Sequence, residues 1–178
     1  MRWICVSLIA FVFAAALAAP FAASAQEAKP AASPAAALPS QADLPLYEGT
    51  VADGVRTIVV IESPVSDTVI DLAPEGDSMG DLLVFANAVY DESHESIVGT
   101  DQGSCVRTVP GAAWECTWTL LLSNGQIVVQ GPFLDVAETS TLAITGGAGA
   151  YAGARGEMTL SSTPDGEFMF TYAIIEGA

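Results

Sequence analysis

Asp101, Arg107 and Asp135 are three charges set into runs that are otherwise aliphatic and aromatic, and Trp114 and Trp118 fall between them in the chain. A carboxylate and a guanidinium beside an indole can hold or polarise a small molecule. The same groups can also form a rim salt bridge with the arginine stacked on the ring, contributing about 0.5–1 kcal/mol. Ion pairs commonly perturb one another where no chemistry occurs, which favours the structural reading. His94 is the only histidine. That excludes zinc sites built on several imidazoles and leaves a serine triad a single candidate base. Asp91, Glu92, His94 and Glu95 cluster around it, but a flexible acidic stretch with one imidazole reads as a solvated turn. Asp77 and Asp81 flank Gly80 without the alternating oxygens of a calcium loop, so no metal is expected.

The glycine-rich run from Leu142 to Gly156 contains Gly147, Gly149 and Ala152, which match a dinucleotide-binding fingerprint by letters alone. That loop must open a helix whose N-terminus meets the pyrophosphate, whereas Ala154 onward reads as another strand. No cofactor is expected, and the glycines read as bulges and a sharp corner between strands.

The elements that would position these residues begin after an export segment. Met1-Arg2 is a short positive start, Trp3 to Ala19 is apolar and uncharged, and Ala23-Ser24-Ala25 is a small-x-small cleavage signal. Residues 1–25 therefore read as a secretory signal peptide; an uncleaved anchor is the competing reading, since the apolar stretch is long enough to span a bilayer. With cleavage no membrane span remains, and the protein is expected in the periplasm or outside the cell. Residues 26–46 are dominated by Ala and Pro, with prolines at 30, 34, 39 and 45, and read as a disordered, semi-extended linker. The 178-residue chain carries 21 acidic against 5 basic residues, a formal net charge of −16. Such a surface repels phosphate backbones, so nucleic acid is not an expected partner.

From Tyr47 the pattern is β. Eight β-branched and aromatic runs, bounded by Gly, Pro, Asp and Asn, cover 55–63, 81–91, 95–108, 113–122, 126–135, 140–145, 154–163 and 167–175. No apolar 3.6-residue period survives over twelve residues, so crossover helices have nothing to form from. Residues 47–178 are expected to make one all-β domain, an antiparallel sandwich or barrel. Three turns set register. Pro110-Gly111 joins two strands, and setting Cys105 opposite Cys116 places Arg107 opposite Trp114. In an oxidising compartment these two cysteines form a disulfide; two buried thiols are the alternative. Asn124-Gly125 reads as a two-residue turn with positive φ, which pairs Ser123 with Gln126 and sets Asp135 beside Trp114. Asp165-Gly166 closes the last hairpin in the same way. One face then gathers Asp101, Cys105, Arg107, Trp114, Cys116, Trp118, Ile127, Val129, Phe133 and Asp135, and it is the interior one.

The blocks Gly76-Asp-Ser-Met-Gly-Asp81, Leu82 to Phe85, Val89-Tyr90-Asp91, Gly103-Ser-Cys105, Trp114-Glu-Cys116 and the Thr145-Gly-Gly147-Ala-Gly149-Ala-Tyr151-Ala-Gly-Ala-Arg155-Gly156 run together resemble the allene oxide cyclase and plant dirigent superfamily, in particular its exported bacterial members. The resemblance covers about 55–175. It implies an eight-stranded antiparallel β-barrel with a hydrophobic lumen, commonly a homotrimer. By position it makes Glu62, near the end of the first strand, the counterpart of the cyclase lumen glutamate. Both branches of the superfamily act mainly by excluding water and fixing geometry, so few catalytic groups are needed. The expected function is binding of a small apolar molecule in the lumen, with isomerase or cyclase steering by Glu62, Asp101, Arg107 and Asp135 and with Tyr90, Trp114, Trp118 and Phe133 lining the site. A non-catalytic structural or carrier barrel of the cell envelope is the alternative.

Overall fold

The computed structural model describes residues 37–176; the expected signal peptide and most of the expected linker lie outside the described residues. Ten strands follow a short 3-10 turn, Gln41–Asp43. They are β1 (Thr50–Ala52), β2 (Val55–Glu62), β3 (Thr68–Ile70), β4 (Leu82–Asp91), β5 (Ile97–Val109), β6 (Ala113–Leu122), β7 (Gly125–Leu134), β8 (Thr139–Gly149), β9 (Gly156–Ser162) and β10 (Phe168–Ile175). Eight of them, β2 and β4 to β10, close into an antiparallel barrel in the order β2-β10-β9-β8-β7-β6-β5-β4 and back to β2. These are the eight runs read from the sequence. The strands β1 and β3 were not anticipated, because three exposed residues each carry no alternation.

Closure is the least regular part. β4 meets β2 only from Val60 opposite Asp91 to Glu62 opposite Val89, while β1 takes the earlier half of the β2 edge and β3 the other half of the β4 edge. Elsewhere the ladders are long, and alternate residues point inward. Ile58, Val60, Val89, Leu120, Leu122, Ile127, Val129 and Met158 have no exposed surface. Burying each such side chain contributes about 1.5–3 kcal/mol, and a barrel of this strand number is narrow enough for them to fill it. The half of the barrel towards the β6–β7 turn is packed solid in this way. Residues 41–46, expected to belong to the linker, lie against that end: Gln41 Nε2 donates to the Leu122 carbonyl at 2.7 Å, Ser123 Oγ donates to the Pro45 carbonyl at 2.9 Å, and Leu44 is buried.

The turns account for one correction. Cys105 does sit opposite Cys116 and Arg107 opposite Trp114, with Pro110 and Gly111 at the centre of the turn and Gly111 at φ 68°. In the next hairpin Leu122 pairs with Gly125 and Trp114 with Phe133, so the turn is Ser123-Asn124 and Asp135 is two places beyond its expected partner. Gly125 was read as a positive-φ turn residue. It is instead a strand residue paired with Leu122 and Gly149, and it is glycine for want of space, since a Cβ there would lie 2.4 Å from the Ala148 carbonyl oxygen of β8. A shift of two preserves which face each residue occupies, so the interior assignment is unaffected. The last hairpin turns on three residues rather than two: Thr163 N–H bonds the Glu167 carbonyl, and Gly166 takes φ 82°. The glycine-rich run is part strand and part corner. Gly146 and Gly147 continue β8 past a bulge at Thr145, and the corner falls after Gly149.

Candidate functional site

Towards the β5–β6 end the interior is not filled. Inward residues of β4, β6, β7 and β10 leave a small pocket of about 50 Å³, open to solvent at its mouth, with Phe85, Trp118, Phe133, Phe168 and Phe170 as walls. The enclosed part is smaller than a typical small-molecule site, roughly 300–1,000 Å³, so a ligand here lies partly in the open mouth. The rings hold each other edge-on: Phe85 and Trp118 have centroids 6.0 Å apart at 69°, and Phe133 and Phe168 are 6.0 Å apart at 86°. Trp118 also lies 5.6 Å from Phe170, and its Nε1 donates to the Tyr172 hydroxyl at 3.4 Å, so its plane is fixed from two sides. Its rotamer is held from behind as well, since a Cβ on Gly103 would come within 2.3 Å of the Trp118 Cβ. The Cys105–Cys116 disulfide forms part of the pocket wall.

Polar chemistry is confined to one side of this pocket. Glu62, the last inward residue of β2, is 4% exposed and lines it together with Asp67 from the β2–β3 loop. Asn87 of β4 joins the two: its Nδ2 donates to Glu62 Oε1 at 2.6 Å and to Asp67 Oδ1 at 2.7 Å, while its Oδ1 accepts the Ser66 N–H at 2.9 Å. Asp101 of β5, opposite Asn87 in the ladder, is completely buried behind Glu62. Neither of its carboxyl oxygens meets an N–H or O–H donor of the protein. The group it faces is the Glu62 carboxyl, and two carboxyl groups can bond each other only through a shared proton. Burial, then the Glu62 charge, drives Asp101 well above the usual carboxylate range. Burial is also the main force on Glu62, which is pushed up to about 7 against the opposing pull of Asn87. Burial pushes the Tyr172 phenol up too, with the Asp101 carboxyl adding to it. A carboxyl pair that holds one proton near neutral pH behind apolar walls is equipped to give and take protons.

The sequence-derived candidates divide into three groups. Glu62 and Asp101 are brought together, with Trp118 and Phe133 in the walls beside them. Arg107, Asp135 and Trp114 form a separate cluster further out on the rim. There the Arg107 guanidinium carbon lies 3.8 Å from the Trp114 ring centroid, Nε is 2.7 Å from Asp77 Oδ1, and Nη1 bonds Asp135. Asp77 also accepts the Gly111 N–H, so this cluster pins the 71–80 loop to the β5–β6 turn. Tyr90 is corrected outright. The phase of β4, whose inward residues are Leu83, Phe85, Asn87 and Val89, turns it outward, with its ring against His94, 4.4 Å away, and it does not line the pocket. The residues missed were Asn87, Asp67, Phe85, Phe168, Phe170 and Tyr172. Asp91 accepts from Ser93 Oγ and the Glu95 N–H, which makes the acidic stretch around His94 an ordered turn. Asp81, whose expected context was an incomplete calcium loop, is buried and held below the usual range by the Ser78 and Leu72 N–H groups.

The family model described as allene oxide cyclase matches residues 59–173. Among solved structures, one described as pyocyanin demethylase is 28% identical with a TM-score of 0.58, covering 66% of this chain and 98% of that chain. The pterocarpan synthase dirigent protein GePTS1 is 18% identical with a TM-score of 0.56, over 70% of this chain and 91% of its own. AbnU, described as an exo-specific intermolecular Diels-Alderase, is 16% identical with a TM-score of 0.51, over 67% of this chain and 97% of its own. The last two are similar in fold alone.

Proposed function

This chain belongs to the allene oxide cyclase family, and from that premise we propose that it binds a flat, unsaturated small molecule in the aromatic pocket and moves a proton on it, as an isomerase or cyclase. The observation that carries the reading is the Glu62–Asp101 pair, a pocket acid backed by a fully buried one that no donor of the protein satisfies, beside Phe85, Trp118 and Phe170. Asp101 acts as the buried proton store, and Glu62, which lines the pocket, exchanges that proton with the ligand. The rings hold the ligand flat and keep water from the reacting atoms. Proton transfer by a placed side chain contributes typically about 10²–10⁴-fold. Arg107 and Asp135 serve the rim and take no part in the chemistry.

The reading also places the mature chain outside the cytoplasm, in the periplasm or beyond. The pattern of residues 1–25 and the paired Cys105 and Cys116 support that. A homotrimer is the assembly that the family resemblance implies. A non-catalytic structural or carrier barrel of the cell envelope is the second reading, its structural form favoured by how much of the barrel is filled solid above the pocket.

The test is native mass spectrometry of the mature protein, followed by denaturing extraction of any bound molecule and incubation with it and with pyocyanin. A bound apolar molecule, converted by the wild type and bound but converted at least 100-fold more slowly by Glu62→Gln, is the expected result. Binding without conversion by the wild type establishes the carrier. An empty barrel that takes up neither these compounds nor a hydrophobic dye overturns the pocket reading.

A further inference from the structure

We infer that the pocket selects flat aromatic cations over neutral or anionic apolar molecules of the same shape. The inference rests on the reading of this pocket as a small-molecule site and names the class of molecule it takes.

The polar groups that face the interior here are Glu62 from β2, Asn87 from β4, Asp101 from β5, Trp118 from β6, Tyr172 from β10 and Asp67 from the β2–β3 loop. The Asn87 amide is fully used by Glu62, Asp67 and Ser66, and the Trp118 N–H is spent on Tyr172. At the pocket surface itself the polar side chains are Glu62 and Asp67, both carboxyl groups, while Asp101 and the Tyr172 hydroxyl lie behind them outside the lining. A ligand set against two carboxyl groups is favoured by hydrogen-bond donors of its own, and by positive charge where they are ionised.

Every ionisable group that acts on Glu62 is a carboxyl group, Asp67 or Asp101. The described cations are all engaged or elsewhere: Arg56 pairs with Glu176, Arg107 with Asp77 and Asp135, and Arg155 stands at the β8–β9 corner. The buried acids thus lack a counter-charge, and a cation between Glu62 and Asp67 would supply it.

Five aromatic rings surround the acids, and ring faces attract a cation within about 6 Å while still accepting its apolar frame. An anionic ligand would meet repulsion at Glu62 and again at the surface of a chain of net charge −16, which steers cations inward instead. With Glu62 titrating near 7, the pair carries its negative charge above that pH, and below it a cation must displace a proton to bind.

The experiment compares three probes with the same two-ring frame by equilibrium dialysis in 0.3 M NaCl, which screens the exposed acids: N-methylquinolinium, 1-methylnaphthalene and 2-naphthoate. At pH 8 the cation is expected to bind at least tenfold tighter than the neutral isostere, with the anion weakest, and to displace the isostere at one equivalent. At pH 5.5 the preference should fall several-fold. Glu62→Gln should reduce it to within twofold while leaving 1-methylnaphthalene bound. Should that variant not fold, the pH series and the exposed Asp67→Asn, expected to weaken the cation alone, carry the test. Equal binding of cation and isostere, or a preference for the isostere or the anion, overturns the inference and leaves the pocket reading standing. Failure of all three to bind overturns both.

Discussion

Glu62→Gln changes the charge of one buried acid and little else, because the Gln carbonyl can still accept the Asn87 amide hydrogen. Its effect on stability can be worked from the position of the titration. Glu62 ionises near 4.5 in the unfolded chain and near 7 in the fold. A carboxyl whose value is raised on folding contributes stability that is fully present below its unfolded value and is lost as pH climbs through its folded one. Between pH 4.5 and 7 the wild type therefore loses about 1.4 kcal/mol per pH unit from this group, and the variant loses none of it. Asp101 is raised partly by the Glu62 charge that the variant removes, so the comparison reads the carboxyl pair together rather than Glu62 alone. Asp81 and Asp91, held below the usual carboxylate range by backbone donors, are already ionised in both. The stability difference between variant and wild type should grow in favour of the variant to about 3 kcal/mol and then stay level above pH 7. Urea unfolding read by tryptophan fluorescence, disulfide intact, in steps from pH 4.5 to 9 measures this directly. Parallel curves for the two proteins would refute the reasoning: Glu62 would then be ionised in the fold throughout, and there would be no shared proton to build chemistry on.

Three further perturbations test other parts of the site. Gly103→Ala places a methyl 2.3 Å from the Trp118 Cβ and 2.5 Å from the Thr117 carbonyl oxygen; since both are held by backbone, it should cost about 1–3 kcal/mol and alter Trp118 emission, and an unchanged melting temperature would contradict the geometry. Arg107→Ala should lower stability by about 1–2 kcal/mol, through the lost cover on Trp114 and the freed 71–80 loop, yet leave pocket affinity within twofold; a tenfold loss of binding would return Arg107 to the site. Joint replacement of Cys105 and Cys116 by Ala opens an 11-residue separation and should cost about 2–3 kcal/mol in denaturant, with no loss under reducing conditions beyond that of the reduced wild type.

Period-two alternation and turn residues made all eight barrel strands legible, because every barrel strand has one wet face and one dry one. What alternation supplies is a face, and it says nothing about height along the barrel. Asp101 and Arg107 share the inward face of β5, so the sequence offered them as one site. At about 3.3 Å per residue they stand roughly 20 Å apart along the strand, one beside the buried acid and the other on the rim. Tyr90 failed because it was chosen without a register: alternation along β4 from the inward Leu83, Phe85, Asn87 and Val89 already turns it outward. Asn87 and Asp67 were out of reach altogether. Their link to Glu62 exists only after β4 closes against β2, a pairing between strands that are not joined by a hairpin and that no local signal announces.

That closure explains why the acids can be buried where they are. The β2–β4 seam is short, and the chain leaving Glu62 cannot continue the ladder, so residues 63–67 must find other partners. Ser66 supplies a substitute: its N–H bonds Asn87 Oδ1, its hydroxyl bonds the Ala86 carbonyl at 2.8 Å, and that same hydroxyl accepts the Ala86 N–H at 2.8 Å. The amide that closes the barrel is thus the amide that orients Glu62 and Asp67. An apolar residue at 87 would leave the Ser66 N–H and the Glu62 oxygen without partners, a cost of about 1–3 kcal/mol each. A carboxylate there would place a fourth acid among three. Asn is suited to both tasks, donating twice and accepting once, and its position in the irregular seam ties the strain of closing a small barrel to the placing of a proton inside it.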